Sequence, residues 1–155
     1  MAPWYRRNAG IVVFNSKHKV LICQRADIRS AWQFPQGGIE EGESVKDAAL
    51  RELKEETSLT NVEHVISLDT PARYNFPPQV ISSMQKRGFT NAGQDVFWSL
   101  FKFNGNDSEI NLQTDTPEFV NFKWATLQEA YDLCVDFKKS AYRMVIDEFS
   151  EYVEK

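Results

Sequence analysis

Three glutamates, Glu52, Glu55 and Glu56, are the first candidates for chemistry in this sequence of 155 residues. Segment 44–57 is rich in helix-forming residues, so the three carboxylates are expected on one helix. At about 100° per residue, Glu52 and Glu56 fall on the same face as the apolar residues of segment 45–49. Glu55 falls at the edge of that face. Carboxylates therefore occupy the stripe with which such a helix would pack against a core.

These carboxylates are expected to repel one another, because like charges four residues apart on a helix are unfavourable and raise each other's pKa values. A divalent cation removes the repulsion, and Mg²⁺ prefers carboxylate oxygens combined with waters and substrate phosphates. The alternative is a solvated acidic face, whose charge Lys46, Arg51 and Lys54 balance through pairs three and four residues apart. The residues around the helix favour the metal site.

A longer pattern surrounds the three glutamates. The loop 35–38, Pro-Gln-Gly-Gly, allows backbone to approach a ligand closely, and an acidic residue lies just before the helix. The full spacing is Gly37-x5-Glu43-x7-Arg51-Glu52-Leu53-x-Glu55-Glu56-x-Ser58-Leu59. It resembles the Nudix box, the loop-helix-loop signature of the Nudix hydrolases, over residues 37–59. The departure is Ser58, where the family usually has the glycine that shapes the turn leaving the helix.

The likeness to this family extends over nearly the whole chain. It resembles one branch, which contains the bacterial RNA pyrophosphohydrolases and the plant-type diadenosine tetraphosphate hydrolases. The resemblance implies a single Nudix domain over residues 1–155, with an α/β fold in which helices sandwich a mixed central sheet. The segments that carry it are YRRN (5–8), AWQFPQGGI (31–39), YNFPP (74–78), GQ (93–94), EINLQT (109–114), TPEF (116–119) and DFKK (136–139).

The resemblance also implies the chemistry of the site, which is attack of water on a phosphoanhydride bond with Mg²⁺, or Mn²⁺ in its place, as cofactor. Several metal-held charges in a nest of carboxylates stabilise a reacting phosphate and activate water. In the family pattern, Arg51 and Glu43 pair to hold the loop, including Gly38, against the helix. The implied metal ligands are Glu52, Glu55, Glu56, the Gly37 carbonyl and, from outside the box, Glu118 in TPEF.

Six further residues match positions that bind substrate in this branch. Tyr74 and Phe137 match aromatic positions able to stack on a base, although each also fits the alternative of a packed core residue. The polar positions near phosphates or bases are Arg6, Gln94, Lys138 and Lys139. One departure concerns segment 95–97, Asp-Val-Phe, where the branch usually carries a polar and basic pair.

The predicted substrate is a nucleotide polyphosphate, either the 5′-triphosphate end of an RNA, which would release pyrophosphate, or diadenosine tetraphosphate. One alternative is a housecleaning pyrophosphatase acting on nucleoside triphosphates. Another is a catalytically silent nucleotide-binding module. The presence of every carboxylate of the box argues against the silent module.

The charge balance restricts how nucleic acid would be bound. Lys and Arg number 18 against 22 Asp and Glu, so the net charge is -4 and an extended nucleic-acid footprint is not expected. Two cysteines, Cys23 and Cys134, lie far apart in apolar stretches, which favours buried thiols in a reducing compartment. No apolar run suits a signal peptide or a membrane span. A cytoplasmic protein without a membrane partner is predicted.

The elements that must position these residues follow from local patterns. A strand hairpin is predicted over 9–25, and Asn104-Gly105 is a good turn signal after the strand 95–103. Residues 69–93, which contain three prolines, are expected to form a long loop. Further strands are predicted at 32–34, 62–68, 109–112 and 119–124, and helices at 127–133 and about 140–153.

Overall fold

The computed structural model of the protein describes residues 2–155. Its strands are β1 (Tyr5–Phe14), β2 (Val20–Arg25), β3 (Trp32–Gln33), β4 (Gln36–Gly38), β5 (Glu63–Ser67), β6 (Ala72–Asn75), β7 (Gly93–Lys102) and β8 (Phe119–Ala125). Its α-helices are α1 (Val45–Thr57), α2 (Pro78–Lys86), α3 (Leu127–Leu133) and α4 (Lys139–Val153). Short 3₁₀ helices span Asp107–Glu109 and Asp136–Lys138.

The eight strands form one mixed sheet with a parallel pair at its centre. The path runs β3-β2-β1-β7-β5, while β4 pairs with β1, β6 with β7 and β8 with β2. Strands β1 and β7 are parallel over ten residues, from Tyr5 opposite Gly93 to Phe14 opposite Lys102. Because β1 is covered on both faces, its run of apolar residues is nearly continuous, as expected for a central strand.

Helices cover both faces of the sheet. On one face, Ile11 and Val13 of β1 pack with Ala49 and Leu53 of α1. The other face packs the alternate β1 residues with α3 and α4. The predicted arrangement of helices sandwiching a mixed sheet is confirmed.

Both ends of α1 are fixed by serine side chains. Ser44 accepts a hydrogen bond from the Asp47 backbone N–H at 3.1 Å, so the helix begins where the sequence predicts. Ser58 closes the helix in the left-handed conformation, with φ of 68°, and its N–H donates to the Lys54 carbonyl. Its hydroxyl donates to the Asn111 carbonyl at 2.8 Å, which holds a residue other than glycine in this turn.

Two sequence predictions of secondary structure are wrong. Residues 69–93 are not a single loop, because they contain β6 and α2. The proline pair starts α2 instead of excluding a helix, since a proline in the first turn lacks only an N–H that has no partner there. The strand predicted at 109–112 is also absent; Asn106 caps a 3₁₀ helix over Asp107–Glu109 instead.

The cysteines are free thiols buried in the structure, at Cys23 and Cys134. Within residues 2–155, the structure contains no helix with the length and apolar character needed to cross a membrane.

Candidate active site

A polar cavity of about 550 Å³ lies where β1, β4 and β7 meet α1. Four carboxylates line it: Glu52 and Glu56 from α1, Glu118 from the loop before β8, and Asp27, which is paired with Arg25. Four amide side chains line it from the strands: Asn8, Gln33, Gln36 and Gln94. The cationic side chains on its walls are Arg6, Arg25, Arg87 and Lys138. Because Asp27 is paired with Arg25, the cavity combines three other carboxylates with three other cations.

Glu56 lies at the centre of the carboxylate group and is only 8% exposed. Burial, followed by the charges of Glu118 and Glu52, raises its pKa to about 10. Burial also raises the pKa of Glu52, although the neighbouring Arg51 guanidinium opposes this effect. One oxygen of Glu56, Oε2, is buried without a hydrogen-bond partner. A buried carboxylate oxygen with no donor is an unsatisfied ligand position.

These carboxylates fit a divalent metal ion. Their donor atoms are the hard oxygens that Mg²⁺ and similar ions take, and a bound cation satisfies the Glu56 oxygen that lacks a partner. Within residues 2–155 no group of three or more acidic, histidine or cysteine side chains is arranged as a complete metal site.

The diglycine of β4 lies beside one carboxylate and one cation of the cavity. A Cβ atom at Gly37 would collide with the Glu52 carboxylate, and one at Gly38 would collide with the Arg6 guanidinium. Side chains at these two positions would push both groups away from the cavity. Because both positions are glycine, the Glu52 carboxylate and the Arg6 guanidinium pack directly against the backbone of β4.

Arg51 connects this loop to the helix. Its guanidinium donates to both carboxylate oxygens of Glu43, at 2.7 and 2.9 Å, and to the Gly38 carbonyl at 2.8 Å. It also donates to Glu52 Oε1 at 2.8 Å. The paired guanidinium lowers the pKa of Glu43 to about 2. The structure thus contains the Glu43–Arg51 pair expected from the sequence, and this pair fixes the position of β4 against α1.

Glu55 lies apart from the other carboxylates of α1. Its side chain is 57% exposed, and its nearest cation is Arg51 Nη1 at 3.4 Å. It lines a second, open cavity together with Lys54 and segment 114–116, rather than the cavity that holds Glu56. The structure therefore brings Glu52, Glu56 and Glu118 together and leaves Glu55 on the rim.

The substrate-binding residues expected from the sequence divide into two groups. Arg6, Gln94 and Lys138 line the cavity. Lys138 is only 6% exposed, and burial, aided by the charge of Arg25, lowers its pKa to about 8. Its ammonium donates to Gln33 Oε1 at 3.5 Å. A buried cation with a single long hydrogen bond is suited to bind an anion.

Tyr74, Phe137 and Lys139 do not reach the cavity wall. Tyr74 is 3% exposed, its hydroxyl accepts a hydrogen bond from Gln36 at 3.0 Å, and its ring packs against Phe137 with centroids 5.7 Å apart. The structure therefore favours the alternative of a packed core residue over base stacking. Lys139 donates to the carbonyls of Tyr131 and Asp132, at the end of α3, at 2.6 and 3.0 Å. These carbonyls, which helix formation leaves without partners, attract the cation away from the cavity.

Sequence reasoning missed six polar cavity residues, which are Asn8, Arg25, Asp27, Gln33, Gln36 and Arg87. Gln36 precedes the diglycine, and its place in that loop was a usable signal. Arg25 ends β2 and donates to both carboxylate oxygens of Asp27, at 2.8 and 2.6 Å. The sequence contained no signal that Arg87 would line the cavity, because its position depends on α2, which the sequence pattern did not predict.

Comparison with known proteins identifies the family to which this fold and carboxylate site belong. Residues 4–147 match the family described as the NUDIX domain, so the chain belongs to this family. Over 154 residues it is 41% identical to Nudix hydrolase 26, chloroplastic, of Arabidopsis thaliana, covering 97% of this chain and 71% of the relative. Over 147 residues it is 40% identical to the RNA pyrophosphohydrolase of Pelagibacter ubique (strain HTCC1062), covering 94% of this chain and 92% of the relative. The chain is a Nudix hydrolase.

Solved structures show the same fold. The dihydroneopterin triphosphate pyrophosphohydrolase of E. coli superposes with a TM-score of 0.68 at 21% identity, covering 97% of this chain and 98% of its own. A C. elegans Ap4A hydrolase, in a binary complex, superposes with a TM-score of 0.64 at 22% identity. The match covers 94% of this chain and 99% of that structure. Nudix hydrolases generally act with a divalent metal, which agrees with the carboxylate group around Glu56.

Proposed function

We propose that this protein hydrolyses a phosphoanhydride bond in a nucleotide polyphosphate, either removing pyrophosphate from a 5′-triphosphorylated RNA or splitting diadenosine tetraphosphate. The observation that carries the proposal is the buried Glu56 oxygen without a partner, set among carboxylates in a cavity that four cations also line. The names of relatives support it, since RNA pyrophosphohydrolases from several bacteria are about 40% identical to this chain.

We assign Mg²⁺ to Glu52, Glu55, Glu56, Glu118 and the Gly37 carbonyl, with Mn²⁺ able to substitute. When bound, the metal would stabilise charge on the reacting phosphate and activate a water molecule. Glu55 joins this set by a side-chain rotation from the rim, because it already lies one helical turn from Glu52. Arg51 keeps the Gly37 carbonyl in place by holding Gly38 and Glu43.

The substrate is held by the cations opposite the carboxylates. Arg6 and Lys138 bind phosphate oxygens, and Gln94 adds a neutral polar contact next to them. The positive charge is confined to the cavity, whereas the net charge of the chain is -4. The protein would therefore bind the end of an RNA and not a long stretch of it. A cytoplasmic location agrees with two buried thiols and stays a prediction.

One comparative assay tests the proposal. Hydrolysis of 5′-triphosphorylated RNA, diadenosine tetraphosphate and a panel of nucleoside triphosphates is measured with Mg²⁺ and then with Mn²⁺, and Glu56→Gln serves as the matched inactive variant. We expect one of the first two substrates to have the largest kcat/KM. A preference for a mononucleotide would instead identify the housecleaning alternative, and no hydrolysis of any substrate would refute the proposal.

A further inference from the structure

We propose that Arg87, held on the ring of Phe89 beside Arg6, is a specificity residue that binds the phosphates farthest from the carboxylates and so selects long polyphosphate chains. The inference rests on the proposed function and deepens it, because it names a feature of the substrate that the cavity selects. It concerns a wall of the cavity that the sequence pattern did not reveal.

The first observation is that one aromatic ring contacts two cations of the cavity. The guanidinium carbon of Arg6 lies 5.4 Å from the ring centroid of Phe89, and that of Arg87 lies 5.7 Å from the same centroid. Both arginines line the cavity. Contacts of this kind orient a guanidinium while leaving its N–H donors available for an anion.

The second observation is that neither arginine is neutralised by a protein carboxylate. Among residues 2–155, no acidic side chain lies within 4.0 Å of a nitrogen of Arg6 or Arg87, whereas Arg25 is paired with Asp27 and Arg51 with Glu43. The hydrogen bond given by Arg87 is a weak one to Met84 Sδ at 3.9 Å. Two guanidiniums without an anionic partner, on one wall of a cavity, fit a polyanionic ligand.

The third observation is the turn that fixes Phe89. After α2, the Phe89 N–H donates to the Met84 carbonyl and the Gly88 N–H donates to the Gln85 carbonyl, at 2.9 and 3.0 Å. With Gly88 in the left-handed conformation, at φ of 87°, these bonds form a Schellman turn. The turn sets Arg87 and Phe89 close together at the end of the helix.

The same segment is tied to the start of β1. The Trp4 indole N–H donates to the Thr90 hydroxyl at 3.1 Å, and the Ala92 N–H donates to the Trp4 carbonyl at 2.8 Å. Arg6 follows two residues later on β1. The wall formed by Arg6, Arg87 and Phe89 is therefore built from two segments joined by direct hydrogen bonds.

These contacts give an order along the cavity. The Glu52 carboxylate packs on Gly37, the Arg6 guanidinium packs on the adjacent Gly38, and Arg6 shares the ring of Phe89 with Arg87. A polyphosphate whose reacting phosphate lies at the carboxylates would reach Arg6 next and Arg87 last. Arg87 is then contacted only by a chain long enough to extend past Arg6.

The test uses diadenosine tri-, tetra- and pentaphosphate, which differ only in the number of phosphates. For Arg87→Gln we expect KM to rise about 10-fold for the tetra- and pentaphosphate and less than about 2-fold for the triphosphate, because a charge-assisted hydrogen bond is lost only with the longer chains. The kcat values should change by less than about 2-fold. Arg73→Gln, which removes an exposed arginine that pairs with Asp95 outside the cavity, is the matched control and should change none of these constants.

Phe89 is tested as a positioning residue. Phe89→Leu should raise KM with the same dependence on chain length, whereas Phe89→Tyr, which keeps the ring, should restore KM to within about 2-fold of the unmodified protein. In the double variant Arg87→Gln/Phe89→Leu, the ratio of KM between long and short chains should be no larger than in Arg87→Gln alone. Phe89 acts on chain length through Arg87, whereas its contact with Arg6 affects all three chains alike. Equal increases of KM for all three chain lengths, or no increase, would overturn the inference.

A binding measurement separates this inference from the proposed function. If the unmodified protein cleaves none of the three compounds, the proposed function fails for dinucleoside substrates. Calorimetric titrations with adenosine 5′-tetraphosphate and ADP in EDTA then decide the role of Arg87. Weaker binding of the tetraphosphate alone by Arg87→Gln supports the inference, and unchanged binding of both overturns it.

Discussion

Helices α1 and α4 cover opposite faces of the same sheet, but they bury different chemistry. The buried side chains of α4 are almost all apolar, with Val145, Phe149 and Val153 on successive turns. The buried side of α1 contains the apolar residues Ala48, Ala49 and Leu53, followed by the acidic residue Glu56. Helix α4 therefore contributes mainly apolar packing, whereas the second half of α1 also places a carboxylate beside the cavity.

This difference predicts opposite responses to substitution, and the largest effect is expected in α4. Phe149 is fully buried, and Phe149→Ala should reduce the free energy of unfolding by about 3–5 kcal/mol, because it leaves a cavity in the core. Chemical denaturation measures the loss. Any fall in turnover should match the fraction unfolded, and a folded but inactive variant would contradict the division between the two helices.

The next largest effect is expected in α1. Glu56→Gln should lower turnover at least about 10²-fold, since charge stabilisation by metal is worth several kcal/mol. The metal-free melting temperature at neutral pH should rise, because the neutral amide avoids the free-energy cost of protonating a buried carboxyl whose pKa is raised to about 10. Activity assays and thermal melts in EDTA check the two halves of this prediction. A variant that is inactive because it is unfolded would make Glu56 a structural residue.

The metal-free protein should also respond to pH through Glu56. Its folded pKa of about 10 is above the ordinary value of 4.5, so the folded state binds the extra proton between these values. This contribution to stability is complete below about pH 4.5 and is lost as pH rises through about 10. Denaturation curves in EDTA from pH 5 to 9 should show a decline in stability that Glu56→Gln flattens and that Mg²⁺ opposes.

Glu118 tests whether the carboxylate group extends beyond α1. Glu118→Gln should lower kcat by about 10-fold with little change in KM, because its role in holding metal matters most in the transition state. Steady-state kinetics measure both constants. A normal kcat would limit the active carboxylates to the helix.

The smallest effect is expected at the turn that ends α1. Ser58→Ala removes the hydrogen bond to the Asn111 carbonyl while the backbone remains left-handed, and should cost about 1 kcal/mol of stability. Turnover should stay within about 2-fold of the unmodified value. A large loss of turnover would show that the turn positions Glu55 and Glu56.

Local patterns explain which parts of this molecule the sequence predicts. The start of α1, the central strand at 95–103 and the carboxylates on the inner face of α1 follow from capping, β propensity and helical periodicity. Helix α2 was missed because Pro77 and Pro78 resemble a chain break and the helix buries no residue completely. Without α2, the sequence offered no reason to place Arg87 at the cavity.

Other site residues depend on tertiary packing that no local pattern contains. Tyr74 is buried because β6 pairs with β7 and its ring packs beside Phe137. Lys139 is turned away because the end of α3 lies close to the start of α4 and offers free carbonyls. Each residue has a side chain suited to binding substrate, and its neighbours in the fold determine its contacts.

The parallel pairing of β1 with β7 has a consequence for how the protein folds. Tyr5 lies opposite Gly93 in this pair, so the two strands meet only after most of the intervening chain has been brought together. Closing so large a loop is entropically unfavourable and slows folding relative to proteins with mainly local contacts. Arg6 and Gln94 are neighbours across this pair, and Glu118 is added from farther along the chain. The cavity should therefore be assembled late, and a nascent chain that has not yet reached β7 would have the acidic helix without the wall that faces it.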